Sequence, residues 1–330
     1  MMKSALEAQG IGKSFQGRAL LKGVSFAVEN GQVFGLLGPN GAGKSTLLGI
    51  LSGLYPSDAG HVKIRGRDLK EYGKDLHAFL GVVPQEECFY PSFSVEENLR
   101  FFGCLNGLGG AALNERVSAL LGWLELRPFA ATRAERLSGG YRRLLNIACS
   151  LVHDPDLVFF DEPTVALDPN VRHTFWKKIV ELKKQGKAIV LTTHYMEEAQ
   201  KLCDELAILF HGEILAHGSP KELIARFGGE KILALRAAEG TDLEREKELL
   251  AGIHRLYPKA GVQWKHHFLF VSLPERNQVE AAGKIVSLVE GKGIKVLSQQ
   301  LKEPELEDVF IHLTGERHLP PAGVKASAKP

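Results

Sequence analysis

The sequence predicts an α/β fold with a parallel-sheet core over residues 4 to about 225, followed by a small α+β domain. Three observations carry this reading. A glycine-rich run, Gly38-Pro39-Asn40-Gly41-Ala42-Gly43-Lys44-Ser45-Thr46, sits between an apolar strand-like segment at 33–37 and a helix-compatible segment at 47–51. Short apolar runs alternate with helical patterns up to about residue 225, as in a layered α/β domain. The pattern then changes at Gly228-Gly229.

The elements follow in order. Residues 80–83, 157–160 and 188–191 are short runs of aliphatic and aromatic residues, the signature of strands buried on both faces of a parallel sheet. Between the first two lies a mostly helical block, about 86–152. It contains the capping box Ser94-Val95-Glu96-Glu97 and helical spacing at 114–126 and 138–152. Asp168-Pro169 is an N-cap followed by a first-turn proline, and Gly186 is a stop, so 169–185 reads as a helix. His211-Gly212 joins 206–210 to 213–216 as a hairpin. Beyond the glycine pair, strands at 232–236, 262–264, 268–273 and 294–297 and helices at 242–256 and 277–290 give the order βαββαβ, a ferredoxin-like arrangement. A last helix covers 305–313. The domain reading is therefore 1–228, 229–315 and a disordered tail at 316–330, rich in proline and small residues.

Composition narrows the function. The chain has 330 residues, a formal net charge of +2 and four widely spaced cysteines. That charge is too small to argue for nucleic acid or general anionic-membrane binding. The cysteines form no CxxC pair and read as reduced thiols of a cytosolic protein. The N-terminus lacks an apolar signal-peptide core, and no run approaches 18 apolar residues. Work at a membrane would need another chain to span it.

The chemistry begins with the glycine-rich run, which fits the P-loop pattern G-x-x-x-x-G-K-[ST]. Glycines let successive backbone N–H groups turn toward phosphates, and the following helix N-terminus adds its dipole. Lys44 is placed to reach the β- and γ-phosphates and Ser45 to ligate Mg2+. Asp161-Glu162 ends an apolar strand, so Asp161 can hold Mg2+ and Glu162 can act on water as general base. Ser138-Gly139-Gly140 opens a helix and makes a second anion site.

These residues reach a family resemblance. Asp161-Glu162-Pro163-Thr164 with Val165-Ala166-Leu167-Asp168 resembles the Walker B and D-loop of ABC-type ATPases, and Leu137-Ser138-Gly139-Gly140-Tyr141 resembles their signature motif. Val83-Pro84-Gln85 is similar to the Q-loop, Thr192-Thr193-His194 to the switch histidine, and Lys13-Ser14-Phe15 stands where the aromatic A-loop does. The sequence departs from the pattern at Tyr141, usually Gln, and at Ala166, often Gly or Ser. The resemblance implies an ABC ATPase domain, with an antiparallel N-terminal sheet and a helical subdomain, using ATP and Mg2+. Phe15 would stack on adenine. Gly38, Asn40, Gly41, Gly43, Lys44, Ser45 and Thr46 would hold the nucleotide, with Ser45, Gln85 and Asp161 toward Mg2+. Glu162, Gln85 and His194 would be catalytic. Ser138 and Gly140 would cap the γ-phosphate of a nucleotide held by a second copy of the chain, and Gly139 and Asp168 would also belong to the nucleotide-binding set.

Finer likeness, in 191–199, 141–146 and 305–315, is to exporter ATPases of multidrug, antibiotic and lipid type, whose permease is a separate chain. That implies a homodimer, an integral membrane partner and a peripheral location on the cytoplasmic face of the membrane, with no nucleic acid partner. Two alternatives stay open at this point: an ABC-type ATPase working on ribosomes or nucleic acid, and a module that binds ATP without hydrolysing it. His254, His266 and His267 match no zinc spacing and read as surface.

Overall fold

The computed structural model describes residues 4–314, apart from 166, 229–230, 238–242, 259, 266–267 and 274–277. The expected tail, the Ala166 departure, Gly229, His266 and His267 lie outside the described residues. The chain divides into two compact units, Met1–Pro220 and Lys221–Pro330.

The first unit runs β1 (Leu6–Phe15), β2 (Arg18–Val28), β3 (Val33–Leu37), α1 (Lys44–Leu51), β4 (Ala59–Ile64), β5 (Arg67–Asp68), β6 (Leu80–Val83), α2 (Val95–Leu105), α3 (Gly110–Trp123), α4 (Gly139–Leu151), β7 (Leu157–Asp161), α5 (Pro169–Lys184), β8 (Ala188–Thr193), α6 (Met196–Leu202), β9 (Glu205–Phe210) and β10 (Glu213–Gly218). An antiparallel sheet has the order β2-β1-β4-β5, and a six-stranded sheet has the order β10-β9-β3-β8-β7-β6. In the larger sheet β9, β3, β8, β7 and β6 are parallel and β10 returns antiparallel. Every residue of β3 and of β8 is buried, which is why those segments read as unbroken apolar runs. The two sheets share one core, in which Phe26 stacks on Phe34 with ring centroids 4.6 Å apart.

Local signals explain the boundaries. Gln16 and Gly17 both have positive φ, 49° and 79°, and close the β1–β2 hairpin. His211 (φ 47°) and Gly212 (φ 81°) do the same for β9–β10, the turn the sequence predicts. At α2 the box forms in both directions: the Ser94 hydroxyl accepts the Glu97 N–H at 3.2 Å, and the Glu97 carboxylate accepts the Ser94 N–H at 2.7 Å. Asp168 caps α5 by accepting the N–H groups of Asn170 and Val171, both at 3.0 Å. Helix α3 starts at Gly110, four residues before the expected 114. Ala111 and Ala112 are strong helix formers, and burial of Leu113 in its first turn anchors it.

The second unit contains α7 (Pro220–Phe227), β11 (Ile232–Ala237), α8 (Leu243–Leu256), β12 (Val262–Lys265), β13 (Phe268–Ser272), α9 (Gln278–Gly291), β14 (Val296–Lys302) and α10 (Leu306–Thr314). Its antiparallel sheet has the order β12-β13-β11-β14, with α8 and α9 in the crossovers, as the βαββαβ pattern requires. Leu233, Leu235, Leu269 and Val271 meet Ile253 of α8 and Ile285 of α9 in a core of its own. The last strand lies further on than the expected 294–297. Gly293 (φ 74°) ends the α9 turn, Ile294 plugs the core, and pairing with β11 starts at Val296.

Candidate functional site

Parallel pairing brings four strand ends to one edge of the larger sheet. Leu37 is in register with Thr193, Thr192 with Asp161, and Phe160 with Val83. The segments leaving those ends therefore converge, as binding loops do at the carboxyl edge of open α/β sheets. The loop after β3 arches over this edge into α1. Gly43 is the N-cap of α1 at φ 103°, and no acidic side chain lies in the first turn to repel an anion. Gly38 has no room for more: a Cβ there would lie 2.2 Å from the Leu209 carbonyl oxygen. Gly38→Ala is therefore expected to displace the loop from β9. It should lower both the melting temperature and ATP affinity, which thermal unfolding with and without nucleotide would record.

A cavity of about 300 Å³ opens beneath the arch. The loop and α1 contribute Asn40, Gly41, Gly43, Lys44, Ser45 and Thr46, and Leu20, Gln85 and Glu162 close its other sides. Lys44 is buried to 4% exposure. Its ammonium donates to the carbonyls of Gly38 (2.8 Å) and Pro39 (3.1 Å) and pairs with Glu162 Oε1 at 3.1 Å. On the far side of that carboxylate, His194 Nδ1 lies 3.3 Å from Glu162 Oε2, at ion-pair distance but without hydrogen-bond geometry. The neighbouring His194 ring, and after it Lys44, hold the Glu162 carboxyl down to about 2 against the opposing effect of burial. Glu162 is thus fully ionised at neutral pH.

The backbone of Glu162 is itself unusual. Its φ is +44°, a left-handed conformation that a side chain rarely adopts and that surrounding contacts must enforce. Thr192 helps. Its hydroxyl accepts the Glu162 N–H at 2.9 Å and donates to Asp161 Oδ1 at 2.5 Å, coupling the two carboxylate residues.

The sequence-predicted residues divide into two sets. Asn40, Gly41, Gly43, Lys44, Ser45, Thr46, Gln85 and Glu162 line the cavity, Gly38 anchors its loop, and His194 and Asp161 connect to it through Glu162 and Thr192. The rest are elsewhere on the chain. Phe15 is 49% exposed on the β1–β2 hairpin, with the Lys13 ammonium 5.5 Å from its ring centre. Ser138 is the exposed N-cap of α4, and its side chain makes no capping bond. Gly139 and Gly140 begin that helix, and the Asp168 carboxylate caps α5. Sequence reasoning missed Leu20 and gave no role of their own to Thr192 and Arg143, which it read only as parts of longer motifs. The available signal for Arg143 was its place on the apolar face of α4, beside Leu144 and Ile147.

Comparison with known proteins decides the family. The model described as ABC transporter matches residues 21–165. The Nod factor export ATP-binding protein I of Rhizobium sp. (strain N33) is 38% identical over 315 residues, covering 96% of this chain and 98% of its own. The chain belongs to the ABC transporter family. A second relative, the linearmycin resistance ATP-binding protein LnrL of Bacillus subtilis (strain 168), is 34% identical over 310 residues, covering 94% and 98%. Among solved structures, one described as the ATP binding subunit of an ABC transporter superposes with a TM-score of 0.63 at 28% identity, over 75% of this chain and 99% of that one. Cavity and family agree on nucleotide binding, and this ABC ATPase is an ATP-hydrolysing transporter subunit. No helix among the described residues is long and apolar enough to cross a membrane. The relatives are ATP-binding subunits of export and resistance systems, which implies a membrane partner.

Proposed function

We propose that this ABC ATPase powers export through a separate permease, and that its ATP site is completed by a second copy of the chain. The observation that carries the catalytic reading is the row Lys44–Glu162–His194, in which the lysine and the glutamate are buried at the cavity and the histidine stands behind them. The lysine meets the β- and γ-phosphates. Phosphate oxygens take over the ammonium from Glu162, which frees a carboxylate to accept a proton from water. His194 faces the same γ-phosphate. Ser45, Asp161 and Gln85 supply hydroxyl, carboxylate and amide oxygens, a hard donor set that suits Mg2+. When bound, that ion would neutralise charge building on the β- and γ-phosphates.

Two copies are inferred from what one copy leaves apart. Ser138 has an exposed hydroxyl at a helix N-terminus, outside the cavity of its own chain. Head-to-tail pairing would bring Ser138, Gly139 and Gly140 of one chain to the γ-phosphate held by the other, with Asp168 in the adjoining loop, while Phe15 covers the adenine. ATP is then part of the interface, and its hydrolysis opens the pair.

Export as the direction is supported by the relatives, named for Nod factor export and linearmycin resistance, which match over almost the whole chain. They weigh against work on ribosomes or nucleic acid. The proposed location is the cytoplasmic face of the membrane. For the permease, the helical block offers an aromatic group: Tyr90 (46% exposed) and Phe101 (37%) pack edge to face with centroids 4.9 Å apart, next to Phe93 and Phe102. Capture of the full chain from detergent-solubilised membranes is expected to recover an integral protein with several membrane spans. Recovery of ribosomal RNA in its place would refute the export reading.

A further inference from the structure

Arg143 lies one turn into α4, between the signature residues at the helix N-terminus and the core. It is 9% exposed, yet no carboxylate among the described residues accepts a hydrogen bond from it. Its guanidinium donates instead to four backbone carbonyls: Nε to Pro163 (2.9 Å), Nη1 to Pro84 (2.5 Å) and Gln85 (3.2 Å), and Nη2 to Asp161 (3.2 Å). The planar fork suits this task, because its donors point in fixed and different directions. Burial lowers the group only to about 10, so it stays a cation at neutral pH.

The choice of carbonyls is informative. Strands β6 and β7 pair up to Val83 and Phe160, and their chains then leave the ladder. Pro84 and Gln85 continue one of them, and Asp161 to Pro163 the other. Arg143 bonds to both tips just where their mutual pairing ends. It also fixes the carbonyls on either side of Glu162, the residue held at φ +44°. A left-handed glutamate persists only if its neighbours are over-determined. Three residues further along α4, Asn146 provides a natural comparison. Its side chain holds the Q-loop alone, accepting the Cys88 N–H at 2.8 Å and donating to the carbonyls of Glu86 (2.9 Å) and Pro84 (3.3 Å).

We infer that Arg143 is a positioning residue for hydrolysis: from α4 it clamps the carbonyl of Gln85 and the carbonyls on either side of Glu162, and so holds the two hydrolytic residues in register with each other. The inference rests on the reading of Glu162 as general base and of Gln85 as a partner of Mg2+. It places the effect in the chemical step, because among the residues that line the cavity Arg143 donates a hydrogen bond to Gln85 alone, and there to the backbone carbonyl.

The test compares Arg143→Met and Arg143→Lys with the parent in steady-state ATPase assays on the full chain, alongside titration with a fluorescent ATP analogue. Misplacing a catalytic group by about 1 Å costs on the order of 100-fold, so Arg143→Met should lose roughly that in kcat while KM and analogue affinity stay within about twofold. A lysine can reach one or two of the four carbonyls, so Arg143→Lys should fall between parent and Arg143→Met. If the methionine variant does not fold, the lysine variant carries the test, with a kcat loss at unchanged KM. Asn146→Ala separates the clamp from general weakening of the Q-loop, and should lower kcat less than Arg143→Met at equal thermal stability. Parental kcat in both Arg143 variants would overturn the inference. So would a loss of kcat matched by an equal loss of ATP affinity, or an Asn146→Ala effect as large as that of Arg143→Met. Measuring Glu162→Gln in parallel keeps the two readings apart: its full turnover would refute the general-base assignment whatever Arg143 does.

Discussion

Replacing Glu162 with glutamine is expected to stop ATP turnover while ATP still binds. The amide keeps the size of the carboxylate and one acceptor oxygen, so cavity shape and the left-handed backbone at this position have little reason to change. What disappears is the charge, and with it the ability to take a proton from water. Loss of a general base costs about 10²- to 10⁴-fold. Binding should not suffer. Glu162 pairs with Lys44 at 3.1 Å and competes for the ammonium that phosphate needs. A neutral glutamine competes less, so ATP affinity is expected to hold or rise. Phosphate release under saturating ATP and Mg2+ reads the first effect, and equilibrium titration reads the second. Parental turnover in this variant would show that another group activates the water.

Lys44→Ala should act on the opposite quantity. Its ammonium is 4% exposed and is aimed by the Gly38 and Pro39 carbonyls at a single point in the cavity. Hydrogen bonds to charged partners contribute about 1.5–3 kcal/mol each, and Lys44 is proposed to meet two phosphates. Its removal also leaves Glu162 with only His194 beside it, so an uncompensated carboxylate faces the incoming phosphates. Together these predict a loss of ATP affinity of about 10²- to 10⁴-fold. Lys44→Arg is not expected to rescue it, because a planar guanidinium cannot occupy the point that two converging carbonyls define for a compact ammonium. An ATP affinity within about threefold of the parent for Lys44→Ala would contradict this account of the cavity.

Local rules wrote much of this fold openly into the sequence. The P-loop could be read because strand, glycines, lysine and helix are contiguous. The Asp168-Pro169 cap, the Ser94–Glu97 box and the His211-Gly212 turn were legible for the same reason: each bond joins residues two or three positions apart. What stayed hidden depends on distant partners. Arg143 acts on carbonyls 18 to 59 positions away, and Thr192 bridges to residues 30 and 31 positions away. Leu20 matters because β2 passes above the loop, which no periodicity announces. The start of β14 was misplaced because Ile294 looks like a strand residue but serves as a core plug after the α9 turn. The residues expected to act in trans, Ser138 above all, were legible by resemblance, and a single chain leaves them outside the cavity they are proposed to complete.

That last point is the central claim, and the mass of the Glu162→Gln protein in solution tests it most directly. Sedimentation equilibrium should give the 36.2 kDa chain mass without nucleotide and twice that mass with ATP and Mg2+. Adding Ser138→Glu, which sets a carboxylate where the γ-phosphate belongs, should return the ATP-bound protein to the single-chain mass. A Glu162→Gln protein that binds ATP and still sediments as one chain would contradict a site shared between two copies.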